Sequence, residues 1–260
     1  ASVTLEKVKG ALKALGFADV VEVAIGADLC TVEEAEDFLN KVPEQQPFMA
    51  TSCCPAWSVM AKKLFPDFKP YISMALTPMV LTGRLIKKQK PDAKVVFIGP
   101  CAAKKLEASR KSVRSDIDFV LTFEEVMGMF EAKGIVLEQA MVDEPFAEGT
   151  ANGRGFAVSG GGANAVKQCI QKEHPDKEVL IDSAEGLKNC KTMLMMAKAG
   201  KYNGYLLEGM ACPGGCVAGA GTLQPVMKSS ALVKKYTNEA EKKLAFESEY
   251  LENLALITKE

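Results

Sequence analysis

Three short cysteine-bearing segments constrain this chain more than any other feature, because each follows an apolar stretch of strand length. They are residues 51–57 (TSCCPAW), 99–105 (GPCAAKK) and 208–216 (EGMACPGGC). Each places cysteine beside proline or small residues, which favour tight loops. In α/β proteins, ligands collect at the carboxyl ends of the strands. The pattern therefore predicts an α/β protein whose three cysteine loops converge on one inorganic cofactor.

Apolar stretches of strand length alternate with stretches of helical periodicity, which indicates largely parallel sheets. Strands are predicted at residues 20–24, 95–98, 117–121, 156–158, 179–181 and 205–207, and residues 48–50 lead into the first cysteine loop. A first helix carries Leu5, Val8, Leu12 and Leu15 and ends at Gly16. A capping box is predicted to open the second helix at Thr31. Further helices are predicted at residues 57–64, 77–88, 123–133 and 163–172.

The length of 260 residues suits one large α/β domain, which we predict to span the whole chain. A polar, glycine-rich stretch at residues 145–155 is the best candidate for a crossover between two βα lobes. Lobe one is predicted at residues 1–44 and 152–228, and lobe two at residues 45–151. The charged tail, residues 229–260, is predicted to be helical and to pack on the outside.

Composition excludes several classes of function. The formal net charge is −1, so no overall field favours nucleic acid or an anionic membrane. The longest apolar runs have the length of a strand, and no charged and apolar leader marks secretion. Eight clustered cysteines in a chain of this length suit a metal or redox site rather than a disulfide scaffold. We therefore expect a cytoplasmic protein, although the start at Ala1 leaves room for a removed upstream piece.

The cysteine spacing favours an iron–sulfur cluster over zinc, without excluding zinc. Zinc sites usually draw paired cysteines or histidines from short knuckles. Here Cys54 and Cys101 are far apart, Cys212 and Cys216 are four residues apart, and the single histidine is His174. Thiolates from three loops suit a cluster better, and the neighbouring glycines let backbone amides donate to its sulfurs.

The three segments, in this order, are similar to the H-cluster motifs of [FeFe]-hydrogenases, and the resemblance covers essentially the whole chain. It implies two βα lobes with mainly parallel sheets, flanked by helices, and the cofactor in the cleft between them. It also implies that Cys54, Cys101, Cys212 and Cys216 bind a [4Fe–4S] cluster. Cys216 would bridge this cluster to a diiron subcluster with CO, CN and azadithiolate ligands.

Three further residues gain roles from the resemblance, each beside a plainer alternative. Cys53 points away from Cys54 in an extended segment, so it is either a buried structural thiol or the last proton relay to the bridgehead amine. A thiol suits a relay because modest shifts bring its pKa into working range. Lys104 is a solvated lysine or a donor to iron-bound cyanide. Met210 is core or packs against the CO ligands.

A proton path is the next expectation from the resemblance. Glu34, Asp37 and Lys41 share a helix face, where Glu34 as the capping-box acid and Asp37–Lys41 as an i,i+4 pair give a structural explanation. The family pattern instead implies a carboxylate relay through Ser73 to Cys53. Asp37 stands where well-studied members carry glutamate, and a water would bridge the longer gap.

Weaker candidates complete the set. The glycines at residues 160–162 are a tight turn near the cluster or a phosphate cradle, although no P-loop lysine follows. Thr77 and Pro78 would line the diiron pocket, and the remaining cysteines are thiols outside the motifs. Gly99 replaces the methionine of the best-known hydrogenases, which is expected to enlarge the pocket and indicates a divergent, sensory-type subgroup.

We expect an [FeFe]-hydrogenase of the ferredoxin hydrogenase type, which oxidises H2 reversibly to protons and electrons. Its partners would be a ferredoxin-like electron carrier or an upstream cluster module, and the hydrogenase maturation proteins. The alternatives are a hydrogenase-like iron–sulfur assembly protein, which typically lacks the relay cysteine, and an H2 or redox sensor.

Overall fold

The computed structural model describes residues 3–144 and 149–258 of the chain, in which strands and helices alternate. The strands are β1 (Phe48–Ala50), β2 (Val96–Ile98), β3 (Phe119–Leu121), β4 (Leu180–Glu185) and β5 (Tyr205–Met210). The helices are α1 (Leu5–Leu15), α2 (Ala24–Lys41), α3 (Pro55–Leu64), α4 (Pro78–Gln89), α5 (Ala103–Ala108), α6 (Phe123–Ala132), α7 (Ala151–Gly155), α8 (Gly161–Glu173), α9 (Leu187–Lys198), α10 (Val226–Asn238) and α11 (Leu254–Thr258). The predicted α/β class is confirmed. Among the described residues, no helix combines the length and the apolar character that a membrane span requires.

The strands form two parallel sheets, as predicted. In the larger sheet β5 lies between β1 and β4, with Tyr205 opposite both Phe48 and Leu180. In the smaller sheet β2 pairs with β3, with Val96 opposite Phe119. Strand β1 belongs to the segment predicted as lobe two, yet it pairs with β5 of the segment predicted as lobe one. The boundary near residue 44 therefore does not separate the two sheets, and the lobe assignment stays a prediction.

The larger sheet is covered by helices on both faces. Leu206 on β5 packs with Phe38 of α2 and Val166 of α8, whereas Leu207 packs with Trp57 of α3 and Leu194 of α9. Successive side chains of a strand point to opposite faces, so one central strand serves both layers. This arrangement buries β5 almost completely and fixes the direction in which its carboxyl end points.

The beginning of α2 differs from the prediction. Residues 20–24 form no strand, and the helix starts at Ala24, so Thr31 lies inside it and donates from Oγ1 to the carbonyl of Ala27 at 2.8 Å. The predicted capping box at Thr31 is therefore wrong. The helix extends because it packs closely on α4: a Cβ at Gly26 would lie 2.3 Å from the carbonyl oxygen of Pro78. Tertiary packing here overrides local propensity.

The segment before α8 also differs from the prediction. Residues 156–158 form no strand, because their backbone bonds to the third cysteine loop instead of to a sheet. The amide of Val217 donates to the carbonyl of Ala157 at 3.2 Å, and the amide of Ser159 donates to the carbonyl of Gly214 at 3.2 Å. Of the predicted crossover, residues 145–148 lie outside the described residues and residues 151–155 form α7.

The tail is helical, as predicted, but it does not only pack on the outside. Ala245 is buried with residues of α2 and α8, and Ile257 is buried with residues of α2 and α4. These buried contacts could not be predicted from the charged composition of the tail, because only a few apolar residues make them.

Candidate functional site

The first cysteine segment follows β1 and is held against β5. The indole nitrogen of Trp57 donates to the carbonyl of Thr51 at 2.9 Å, and a Cβ at Gly209 would lie 2.2 Å from the Trp57 ring. Only glycine allows this close approach. The amide of Ala211 lies 3.5 Å from the sulfur of Cys54, to which it donates. Segments one and three therefore meet at the carboxyl edge of the larger sheet.

The second cysteine segment follows β2, and its backbone bonds to β3 and to the residues that follow the third segment. The amide of Gly99 donates to the carbonyl of Leu121 at 3.1 Å, and the amide of Gly221 donates to the carbonyl of Pro100 at 2.9 Å. In the third segment, Gly214 and Gly215 adopt φ values of 98° and 96°, which favour glycine. All three segments thus leave the carboxyl ends of parallel strands, as predicted.

The four predicted cluster ligands are free, half-buried thiols. Burial, followed by the nearby Cys101 and Cys54, raises the pKa of Cys212. Burial raises the pKa of Cys216 to about 12; Lys104 opposes this, and the other three thiols reinforce it. Thiols from all three loops therefore act on the charge of Cys216.

This donor set fits an iron–sulfur cluster. Within residues 3–144 and 149–258, no three cysteine, histidine or acidic side chains are grouped as ligands of a single ion. A four-iron cluster does not need that grouping, because each cysteine binds a separate iron. The role of Cys54, Cys101, Cys212 and Cys216 as cluster ligands stays a prediction.

Lys104 is buried rather than solvated. Its ammonium nitrogen lies 2.7 Å from a carboxylate oxygen of Glu107 and donates to the carbonyl of Cys53 at 3.2 Å. Burial lowers the pKa of Lys104, but Glu107 and the nearby thiols outweigh it and raise that pKa overall, so the ammonium stays charged. Glu107 in turn accepts from Oγ1 of Thr77 at 2.8 Å. The positive charge is therefore fixed between α4, α5 and the first cysteine loop.

Cys53 and Met210 lie in one apolar cluster. Both are buried there with Ala75, Cys30 and Phe156, whereas Cys54 is only partly buried against the same cluster. Burial raises the pKa of Cys53 well above its ordinary value, and the nearby Glu208 and Glu34 add to this. The thiol is therefore protonated at neutral pH, as the donor end of a proton path requires.

The three residues predicted to form the proton path differ in their exposure to solvent. Glu34 is fully buried, and burial raises its pKa to about 8, while the adjacent Ser73 hydroxyl and Ser52 backbone lower it. Neither carboxyl oxygen of Glu34, however, reaches a donor in hydrogen-bond geometry. Oγ of the buried Ser73 accepts from the amide of Ala75 at 3.2 Å. Asp37 is partly exposed and pairs with Lys41 at 2.7 Å, which confirms the i,i+4 pair.

Residues 1–220 match the sequence model of the family described as the C-terminal domain of the iron-only hydrogenase large subunit. The chain belongs to this hydrogenase family. It is 32% identical over 270 residues to the periplasmic [Fe] hydrogenase large subunit of Nitratidesulfovibrio vulgaris, with 87% of this chain and 64% of the relative covered.

Not every relative of this hydrogenase-like domain is called a hydrogenase. The chain is 29% identical over 274 residues to a probable cytosolic Fe-S cluster assembly factor of Aedes aegypti, with 85% of this chain and 57% of the relative covered. It spans about half to two thirds of the length of the curated relatives that it matches first. An [FeFe]-hydrogenase structure from Chlamydomonas reinhardtii shares the fold, with a TM-score of 0.78, 22% identity, and 98% of this chain and 84% of that chain covered.

The alternative of a phosphate cradle at residues 160–162 is wrong, and the expectation for Gly99 needs correction. The turn at residues 160–162 is not open to phosphate, because Glu208 occupies it: the amides of Gly160 and Ala163 donate to its carboxylate at 3.0 and 2.6 Å. Gly99 does not simply enlarge the pocket, because a Cβ there would lie 2.8 Å from two ring carbons of Phe97.

Four residues at this site had no assigned role in the sequence analysis: Glu107, Glu208, Phe97 and Cys30. Glu107 is three residues after Lys104 on a helix, a spacing that signals an ion pair. Glu208 opens the third cysteine segment. Phe97 and Cys30 carry no signal of their own, because only the fold brings them to the site.

Proposed function

We propose that this domain catalyses the reversible oxidation of H2 to two protons and two electrons at an H-cluster. Cys54, Cys101, Cys212 and Cys216 would hold its [4Fe–4S] cluster, and Cys216 would bridge to a diiron subcluster with CO, CN and azadithiolate ligands. The observation that carries the proposal is the buried thiol of Cys53 near the buried carboxyl of Glu34. Holding a cluster requires neither group, whereas moving protons requires both.

When bound, the diiron group would supply an open iron site and a basic amine between which H2 is split. The chain itself has to carry the protons and to keep bulk water away. Sγ of Cys53 would donate its own proton towards the carboxyl of Glu34 and take up another at the inner end, which restores the thiol. The hydroxyl of Ser73 would connect Glu34 to Asp37, which is open to solvent. A carboxyl with a pKa of about 8 can both accept and release protons near neutral pH.

Lys104 would act on the cyanide ligand as a fixed donor. Its ammonium group is held by Glu107 and the Cys53 carbonyl, so it needs little reorganisation to bind an anionic ligand. Met210 is buried in the cluster of Cys53 and would pack against the CO ligands.

Electron exchange would occur through the [4Fe–4S] cluster, whose predicted ligands are only half-buried. The proposed partner is a ferredoxin-like carrier or an upstream cluster module, and dedicated maturation proteins would deliver the diiron group. A cytoplasmic location stays a prediction, because the relatives' names include both periplasmic and cytosolic proteins.

Iron–sulfur cluster assembly is a second candidate function, which the similarity to a probable assembly factor favours. Such a protein would need the [4Fe–4S] ligands but not the path from Cys53 to Asp37. An H2 or redox sensor would retain the whole site and differ in rate and partner.

Infrared spectroscopy of the protein matured with the hydrogenase machinery tests the proposal directly. We expect bands of iron-bound CO and cyanide, and H2 turnover. Cys53→Ala should keep the bands and lose roughly 10²- to 10⁴-fold of the turnover, the usual contribution of a proton-transfer group. Cys169→Ala is the matched control, because that buried thiol lies in a different apolar cluster and should leave turnover unchanged. Missing bands would favour the assembly function, and full turnover of Cys53→Ala would remove the relay.

A further inference from the structure

The ring of Phe97 occupies the space that the Cβ of a side chain at position 99 would need. Phe97 lies in β2, and Gly99 is the first residue after this strand. An added Cβ at Gly99 would meet both Cε1 and Cζ of Phe97 at 2.8 Å. Contacts this short do not occur between real atoms, so a side chain at position 99 would require the ring of Phe97 to move.

Phe97 also lies close to the proposed active site. It is partly buried against the apolar cluster that includes Met79 and Val80 at the start of α4. Leu76 packs against this cluster and also against the cluster of Cys53 and Met210, so it joins the two. Phe97 therefore directly precedes the second cysteine loop and packs against a cluster that Leu76 joins to the cluster of Cys53 and Met210.

We propose that Phe97 forms the wall of the cofactor pocket above Gly99 and restricts the approach of diatomic ligands larger than H2, such as CO and O2. This inference rests on the proposed function, because it assumes a diiron group beside Gly99. Phenylalanine suits the task because its ring is large, apolar and rigid. Glycine at position 99 then leaves room for the ring rather than an empty space in the pocket.

A double-mutant cycle in the cofactor-free protein tests the placement of the ring. Gly99→Met should lower Tm by roughly 4 °C or more, as expected for overpacking in a chain of this length. The same change in a Phe97→Ala background should cost clearly less, because the space is then free. Gly128→Met is the matched control, since a Cβ there meets nothing within 4 Å, so Tm should not fall and should rise slightly through the better helix propensity of methionine. Additive effects of Phe97→Ala and Gly99→Met would overturn the inference.

Infrared measurements on the matured protein test the access role separately. Phe97→Ala should bind added CO about 10-fold faster than the parent, Phe97→Leu should be intermediate, and adding Gly99→Met to Phe97→Ala should slow CO binding again. Unchanged CO binding in a protein with normal iron–CO bands would overturn the access role alone. Absence of those bands in the parent would instead overturn the proposed function and, with it, the access role, whereas the cycle in Tm would still report on the ring.

Discussion

Glu34 shows how burial turns an ordinary carboxyl into a group that titrates near neutral pH. Its ordinary pKa is 4.5, and burial raises it to about 8. The folded state therefore binds a proton more tightly than the unfolded state between these values. By linkage, Glu34 makes the free energy of unfolding fall as the pH rises through this range, by at most about 1.4 kcal/mol per pH unit.

Replacing Glu34 with glutamine should therefore flatten the pH dependence of stability. Gln keeps the shape of the side chain but does not titrate. We expect Glu34→Gln to resemble the parent in Tm near pH 5 and to exceed it near pH 8, where the parent must keep the proton or bury a charge. Thermal unfolding between pH 5 and pH 8 measures this. The exposed Glu36→Gln on the same helix is the control, and parallel curves for Glu34→Gln and the parent would contradict the prediction.

Helix α2 shows what local sequence patterns can and cannot predict about this fold. The pairing of Asp37 with Lys41 follows from helical spacing alone, and so does the end of α1 at Gly16, which has a φ of 110°. The start of α2 does not, because the valine-rich residues 20–24 fit a strand locally and only packing on α4 decides against it. Likewise, the cysteine motifs predicted which loops meet, but not that Phe97 or Glu107 would lie there.

The contact between α2 and α4 gives a direct test of this packing argument. A Cβ at Gly26 would lie 2.3 Å from both the Pro78 carbonyl oxygen and Oγ1 of Thr82, and the carbonyl belongs to a backbone that cannot turn aside. We expect Gly26→Ala to lower the free energy of unfolding by about 1–3 kcal/mol, despite the better helix propensity of alanine. Denaturant unfolding measures the change.

Gly128→Ala on α6 is the matched control for Gly26→Ala. It lies in a helix, and its Cβ would meet nothing within 4 Å. Alanine should therefore stabilise the protein there by up to about 1 kcal/mol. Equal effects of the two substitutions would show that α2 and α4 tolerate a wider spacing.

The domain depends on a segment beyond the part that matches the family. The match ends at residue 220, yet the later segment attaches at widely spaced points. The hydroxyl of Tyr236 donates to Glu22 at 2.6 Å, the amide of Ala245 donates to the side chain of Asn152 at 3.0 Å, and the carbonyl of Ile257 accepts from Arg84 at 3.0 Å. These contacts lie on α4, on α7 and just before α2, so the tail ties these three parts of the domain together.

Substitutions at two adjacent residues of α11 test whether the tail stabilises the domain or only covers its surface. Ile257 is 4% exposed among residues of α2 and α4, whereas Leu256 is 58% exposed. Ile257→Asp buries a charge in an apolar cluster and removes a packed side chain, so it should cost about 3 kcal/mol or more and lower Tm by roughly 6 °C or more. Leu256→Asp should change Tm little. A similar small effect of both, measured by calorimetry, would mean that the tail lies on the domain without stabilising it.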